Sequence, residues 1–276
     1  MLAVWKYLTG FLIVARVITS LLLTLAVFLP SVHSGNSLSL SVLLAMPFLL
    51  TAIGGFALND FYDAEKDRIN KPYRAIPSGK LPNFAVLLIG IVCLTVSPLL
   101  ALIAARNSRE LLLYLTTICG AAGYNLLIKY LSLSKTFLTA VLSSFPFIYS
   151  ISSFNYPNIY LLLPLATSCY VLGREWLMDI RDMKGDTSDG MRTIPMVIGA
   201  RMTETLAFSL QFVSIALLTP LALSRSSYLS LFVVITMFLF LLLLARLWFR
   251  TDTTIHHRVV QGFWIPMVLG ELLLLR

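Results

Sequence analysis

Charge is scarce in this sequence, and the scarcity narrows the class first. Only 12% of the 276 residues are charged, while 58% are hydrophobic. Soluble domains average about 25% charged and about 45–50% apolar. The imbalance excludes disorder, a collagen-like chain and an ordinary cytosolic enzyme, and leaves a polytopic membrane protein. Cysteine is scarce too. Cys93, Cys119 and Cys169 stand singly in apolar stretches, which excludes a disulfide framework or a zinc site built on cysteine. The three histidines, His33, His256 and His257, fall in loops or at helix ends, with no Ser-His-Asp or Cys-His arrangement. A glycine-rich phosphate loop is also missing. Gly54-Gly55 lies inside an apolar stretch and reads as a place where two helices approach closely.

What is present is length of apolar chain. Nine apolar stretches lie near residues 8–30, 38–58, 82–104, 110–128, 136–154, 158–178, 203–223, 227–249 and 260–275. A span needs about 20 apolar residues. Several stretches are apolar all round, as buried helices are, whereas barrel strands would alternate. The expectation is an all-α polytopic membrane protein, a nine-transmembrane-helix bundle forming a single domain over residues 1–276. The first stretch runs on to Pro30 with no small-residue cleavage site, so it reads as a span. With nine spans, 16 Lys and Arg fall on the N-terminal side and four on the other, with Arg16 inside the first span. Basic residues favour the cytoplasmic side, which places the N-terminus there. The net charge of +8 then reflects cytoplasmic loops facing a bilayer, not nucleic acid.

The acids carry the sharper signal. Asp60, Asp63, Glu65 and Asp67 form one cluster, and Glu175, Asp179, Asp182, Asp186 and Asp189 another, so nine of 13 acids occupy two short windows. Asp60-x2-Asp63-x3-Asp67 is followed by Arg74-Ala75-Ile76-Pro77, and Asp179-x2-Asp182-x3-Asp186 by Arg192-Thr193-Ile194-Pro195. Four spans separate the two, so both return to the cytoplasmic face. The echo suggests an internal parallel repeat whose acidic loops face each other across one central cavity. Acids at i, i+3 and i+7 share a helical face, where they repel unless a cation bridges them. Oxygen ligands without His or Cys suit Mg²⁺ or Mn²⁺. Two such sets could hold several ions around a diphosphate. A solvated polar loop is the competing explanation, weaker for two matched clusters than for one.

A diphosphate also needs Lys or Arg donors. Arg74 and Arg192 are the candidates, because they hold equivalent places in the echo. Arg16, a guanidinium within a span, is expected to face a cavity or an acidic partner. Tyr124 and Lys129 end the fourth span on the same side, where an interfacial lysine would also be at home.

Together these elements resemble the UbiA-type intramembrane prenyltransferases. The resemblance rests on Asn59-Asp60-x2-Asp63-x3-Asp67, on Asp179-x2-Asp182-x3-Asp186 four spans later, and on the basic-Ile-Pro tails and the Tyr124/Lys129 pair. It implies a nine-helix bundle in which Asp60, Asp63, Asp67, Asp179, Asp182 and Asp186 hold Mg²⁺ on the diphosphate of an isoprenoid donor. Asn59 would be a polar neighbour and Lys129 a diphosphate donor. The prenyl tail would occupy an apolar channel open to lipid. The acceptor would be an aromatic ring or a prenylglycerol-phosphate-type lipid. Members with phenolic acceptors often carry Tyr-x3-Lys, whereas Tyr124 and Lys129 have the spacing Tyr-x4-Lys. The Tyr-Asn and Ile-Asn-Lys-Pro runs are closer to members that make archaeal ether lipids or chlorophylls.

Three other readings use part of this pattern. A terpene cyclase would share the scaffold without an acceptor. A CDP-alcohol phosphotransferase would keep its acids in one helix region, with Gly where Ala64 follows Asp63. A cation transporter would place its acids near the midplane of its spans, not at helix ends.

Overall fold

The computed structural model describes residues 2–127, 133–188, 190–224, 235–236, 239–240, 242–243 and 253–275. Among these residues the chain is helical, with no β-strand. In chain order the helices are α1 Leu2–Val14, α2 Val17–His33, α3 Leu38–Tyr62, α4 Ala64–Asn70, α5 Asn83–Ala104, α6 Ser108–Leu127, α7 Lys135–Ser153, α8 Leu162–Ser188, α9 Ile194–Ile198, α10 Ala200–Leu223 and α11 Thr253–Leu274. Among the described residues α3, α5, α7 and α10 are long and apolar enough to cross a membrane, and α1 with α2 meets the same measure only as a pair bent by 51°. The eighth apolar stretch, 227–249, lies almost wholly outside the described residues.

Two expected boundaries shift. The first apolar stretch is not one straight helix. It breaks at Arg16, whose φ of 41° and ψ of 53° are left-handed, a region unfavourable for a residue with a Cβ. The sixth stretch does not stop before the second acidic motif. The helix carries on through Asp179, Asp182 and Asp186 to Ser188, so this motif rides on a helix and not on a loop.

The chain forms two compact units, Met1–Ser132 with Lys184–Met191, and Leu133–Met183 with Arg192–Arg276. In the first, α3 packs against α5. An added Cβ on Gly54 would stand 2.7 Å from Leu94 Cγ, and one on Gly90 would stand 2.7 Å from Leu58 Cδ2, so the glycines set the closeness of the two helices. Nearby, the Thr51 and Ser97 hydroxyls lie 2.8 Å apart, and each donates to the Pro47 carbonyl, at 2.7 and 2.9 Å. Hydroxyls buried in a span need such partners. Phe84, Leu99, Leu102 and Ile103 on the outer side of α5 are exposed, as a lipid-facing surface would be.

The second unit is tied by polar side chains crossing between helices. Tyr170 of α8 donates to Val260 O of α11 at 2.7 Å, and Gln211 of α10 donates to Tyr170 O at 3.0 Å. Ser214 of α10 donates to Ala166 O at 2.9 Å, and Thr167 of α8 donates to the buried Glu271 of α11 at 3.0 Å. Lipid tails are as apolar as leucine, so close packing and bonds of this kind hold membrane helices together.

Candidate functional site

The first acidic motif lies where α3 gives way to α4. Asp63 sits at the junction, with φ −89° and ψ 5°. The backbone nonetheless keeps helical pitch, because Asp63 N bonds Asn59 O at 2.9 Å and Asp67 N bonds Asp63 O at 2.8 Å. Asp60, Asp63 and Asp67 are therefore brought to one side, as their spacing requires, but on two helices jointed at the middle acid. All three are buried.

The break at Arg16 acquires a purpose here. Arg16 Nη2 reaches Asn59 Oδ1 at 2.9 Å and Asp60 Oδ1 at 3.0 Å. Its guanidinium carbon lies 4.3 Å from the centre of the Phe56 ring, a cation–π contact. Asn59 in turn donates to Asp63 Oδ2 at 3.0 Å, which orients the second acid. The expected acidic partner of Arg16 is thus Asp60. The guanidinium sits at the break between α1 and α2.

Arg74 arrives from the loop after α4. Its Nη1 lies 2.6 Å from Asp60 Oδ1. That loop is held by a compact apolar cluster of Val14, Ala57, Ala75, Leu81 and Val86. It closes through Gly79, whose φ of 67° suits a residue without a Cβ. Burial works against the charged form of Arg74, but Asp60 and Asp67 outweigh it and hold the guanidinium above its ordinary value. Asp67 shows the opposite balance. Burial pushes its carboxyl up, and Lys71 and Arg74 offset this only in part. Lys71 Nζ stands 3.7 Å from Asp67 Oδ1.

Lys66 holds no motif position in the sequence. It is buried, and its Nζ lies 3.0 Å from Asp63 Oδ1 and 3.4 Å from Asp186 Oδ1. Asp186 belongs to the second motif, and its turn of α8 belongs to the first unit. Burial disfavours the ammonium, but the two carboxylates outweigh it and hold Lys66 well above its ordinary value. The helical spacing of Lys66, three residues after Asp63, was the available clue. The Asn70 side chain accepts from Gly185 N at 3.2 Å, and a Cβ on Gly185 would meet it at 2.3 Å. Tyr124, half-buried on α6, lies within electrostatic range of the Lys66 ammonium.

In the second unit Asp179 pairs with Lys135 of α7 at 3.1 Å, and Asp182 with the adjacent Arg181 at 2.7 Å. Both acids are buried. Lys135 has no spacing that would have marked it in sequence. Arg192 is exposed whereas Arg74 is buried, so the two members of the echo have unlike surroundings. Their tails differ as well. Ile194-Pro195 opens α9, while Ile76-Pro77 lies in turns. Lys129 lies outside the described residues.

Among the described residues no three His, Cys, Asp or Glu side chains already converge on a metal-sized point, because cations are interleaved with the acids. The donor set nevertheless fits a hard divalent ion. It is all carboxylate oxygen, and Asp60 Oδ2 and Asp67 Oδ1 are buried acceptors with no hydrogen bond. Such orphaned acceptors are costly unless a ligand answers them.

The comparisons with known proteins agree with this architecture. The model of the UbiA prenyltransferase family matches residues 8–265. A digeranylgeranylglyceryl phosphate synthase from Methanothrix thermoacetophila is 34% identical over 207 residues, covering 71% of this chain and 73% of that relative. A solved structure from work on digeranylgeranylglyceryl phosphate synthase in membranes superposes with a TM-score of 0.70 at 23% identity, over 98% of this chain and 97% of the other. A UbiA homolog from Archaeoglobus fulgidus, bound to GPP and Mg²⁺, gives 0.67 at 16% identity, over 95% and 99%. These two structures share the fold. The match over nearly the whole length, on a helical membrane scaffold carrying paired Asp motifs, makes this chain a member of the UbiA prenyltransferase family and a multi-pass membrane prenyltransferase.

Proposed function

We propose that the chain transfers a prenyl group from an allylic prenyl diphosphate to a prenylglycerol-phosphate-type lipid, with Mg²⁺, releasing diphosphate. The observation that carries this is the buried set of interleaved charges in the first unit. Asp60, Asp63, Asp67 and Asp186 meet Arg16, Lys66, Lys71 and Arg74 there. A group of both signs, removed from water, suits a ligand that is itself an anion accompanied by cations. The acceptor class is supported by the relative named digeranylgeranylglyceryl phosphate synthase, and the donor and metal by the homolog bound to GPP and Mg²⁺.

Asp60 and Asp67 would hold the ion, each through its unbonded buried oxygen, with Asp63 and Asp186 completing the carboxylate set of the first unit, and Asp179 and Asp182 assigned to metal binding by the spacing of their motif. Mg²⁺, when bound, neutralises charge that develops on the leaving diphosphate. Arg16 and Arg74 orient Asp60 and offer the diphosphate preorganised positive charge in a water-poor setting. Lys129 and Arg192 are further donors by their sequence positions, Arg192 the weaker because it is exposed, and Tyr124 borders the set. Asn59 keeps Asp63 turned towards it. Exclusion of water protects the prenyl cation from quenching, and the lipid hydroxyl then attacks the allylic carbon as it gives up its proton. The family match over residues 8–265 supports a single domain. The basic asymmetry of 16 against four supports a cytoplasmic face for the acidic motifs and the N-terminus.

The test is purified protein incubated with prenyl diphosphates of several lengths, and with prenylglycerol phosphate or aromatic acceptors, read by mass. An ether-linked product with equimolar diphosphate is expected. Products only with aromatic acceptors would overturn the acceptor assignment. A cyclised hydrocarbon formed without acceptor would replace transfer with cyclisation.

A further inference from the structure

Lys66 stands apart from the other cations of the site in what it connects. Arg16 and Arg74 both address Asp60, and Lys71 lies 3.7 Å from Asp67. The Lys66 ammonium lies 3.0 Å from Asp63 of the first motif and 3.4 Å from Asp186 of the second. It also donates to the Met191 sulfur, at 3.9 Å. An ammonium carries three N–H donors, and a thioether is a weak acceptor. The ammonium is thus ion-paired to two carboxylates, and its N–H towards sulfur rests on a group that an anionic oxygen would readily displace. The side chain is only 6% exposed, so water does little to screen it.

We propose that Lys66 is a resident cation of the diphosphate site. Its ammonium bridges the two Asp motifs as a metal ion would, supplies one positive charge permanently, and turns the N–H that faces Met191 to a diphosphate oxygen when the donor binds. The inference rests on the prenyl-diphosphate reading of the site. Lys66 accordingly lowers the number or affinity of divalent ions that the carboxylates take up before substrate arrives.

The experiment uses the full chain in detergent micelles without prenyl diphosphate, with Mn²⁺ as the probe, read by the loss of the free-ion EPR signal. Lys66→Met removes the charge and keeps the stem, and Lys66→Arg keeps the charge. Removing a unit charge about 4 Å from an incoming dication should tighten Mn²⁺ binding at least about tenfold in Lys66→Met. Lys66→Arg should stay within about threefold of the wild type, because the charge is retained. Without metal, Lys66→Met should melt below the wild type, and Mn²⁺ should restore it. Unchanged or weaker Mn²⁺ binding in Lys66→Met would overturn the proposal. If that variant fails to fold, Lys66→Gln is measured in its place. Failure of both neutral variants even when purified with Mn²⁺ also refutes it, since a lysine that mimics a cation must be replaceable by one. Diphosphate release by the wild type is assayed separately. If that release is absent while Mn²⁺ binding shifts as expected, the prenyl-transfer reading fails and the resident cation stands.

Discussion

Asp60, Asp63 and Asp67 lie across the end of α3, a junction and the short α4, whereas Asp179, Asp182 and Asp186 ride on one uninterrupted helix. The sequence spacing is the same, but the surroundings are not. The first motif balances its charge with cations from other parts of the chain, Arg16 and Arg74. In the second, Asp182 pairs with the residue beside it, Arg181, and Asp179 with Lys135 of α7. A joint at Asp63 lets three acids and four cations settle against each other, while a continuous helix fixes its acids at set intervals. The comparison teaches that an internal echo in sequence can preserve the ligand spacing while the supporting shell diverges.

The comparison would break if either motif were dispensable. Asp63→Asn and Asp182→Asn keep size and remove the charge that a hard cation needs. Each should lower diphosphate release about 100-fold or more, about 2.7 kcal/mol. If the motifs act as a unit, the double variant should lose far less than the product of the single losses. The four proteins of the cycle are compared after each is shown to be monodisperse. Two singles near wild-type rate would refute the metal role of both motifs. Large losses that simply multiply would mean two independent sites.

The second test separates sequence echo from structural role. Arg74 is buried against Asp60, and Arg192 is exposed. Arg74→Ala should cut turnover about 10–100-fold, or about 1.4–2.8 kcal/mol of transition-state stabilisation. Arg192→Ala should change it less than about fivefold, or under about 1 kcal/mol. Steady-state kinetics at saturating Mg²⁺ decides. Equal losses would show that the echo is functional as well as formal.

Much of this was legible in sequence because membrane helices and metal ligands both leave periodic marks. The apolar stretches, the two Asp triplets, the acidic partner of Arg16 and the close-packing role of Gly54 follow from spacing and from the cost of charge in lipid. The break at Arg16 was not legible. Its left-handed backbone is fixed by what its side chain grips 43 and 44 residues away, not by local propensity. Lys135 was hidden for the same reason, as its partner Asp179 comes from a different helix. Lys66 was hidden by its neighbours, since a lysine among acids looks like a solvated loop charge until its burial is known.

A smaller effect tests the scaffold beneath the first motif. Gly54 and Gly55 are adjacent, but only Gly54 faces α5 closely. An added Cβ there would meet Leu94 Cγ at 2.7 Å and Cys93 Cβ at 3.0 Å, against 3.5 Å to Ala121 at Gly55. Gly54→Ala should cost about 1–3 kcal/mol by overpacking, and Gly55→Ala should stay within about 0.5 kcal/mol. Thermal unfolding in detergent measures both. Equal melting temperatures would mean that α3 and α5 can separate without penalty.

The smallest effect belongs to the second unit, away from the acidic motifs. Thr167 Oγ1 lies 3.0 Å from Glu271 Oε2 and 2.9 Å from Leu163 O, sharing its one proton between them, and both side chains are buried. The bond crosses from α8 to α11 between buried side chains. Interhelical hydrogen bonds in membrane proteins nevertheless average only about 0.6 kcal/mol, because the unfolded chain in the membrane also finds partners. Thr167→Val keeps the shape and removes the hydroxyl. It should lower stability by about 0.6–1.7 kcal/mol and leave diphosphate release within about twofold of the wild type. Thr167→Ser, which keeps the donor, should recover most of the loss. A large fall in turnover with unchanged stability would contradict this assignment, because it would make the Thr167–Glu271 contact part of the chemistry and not a tie between helices.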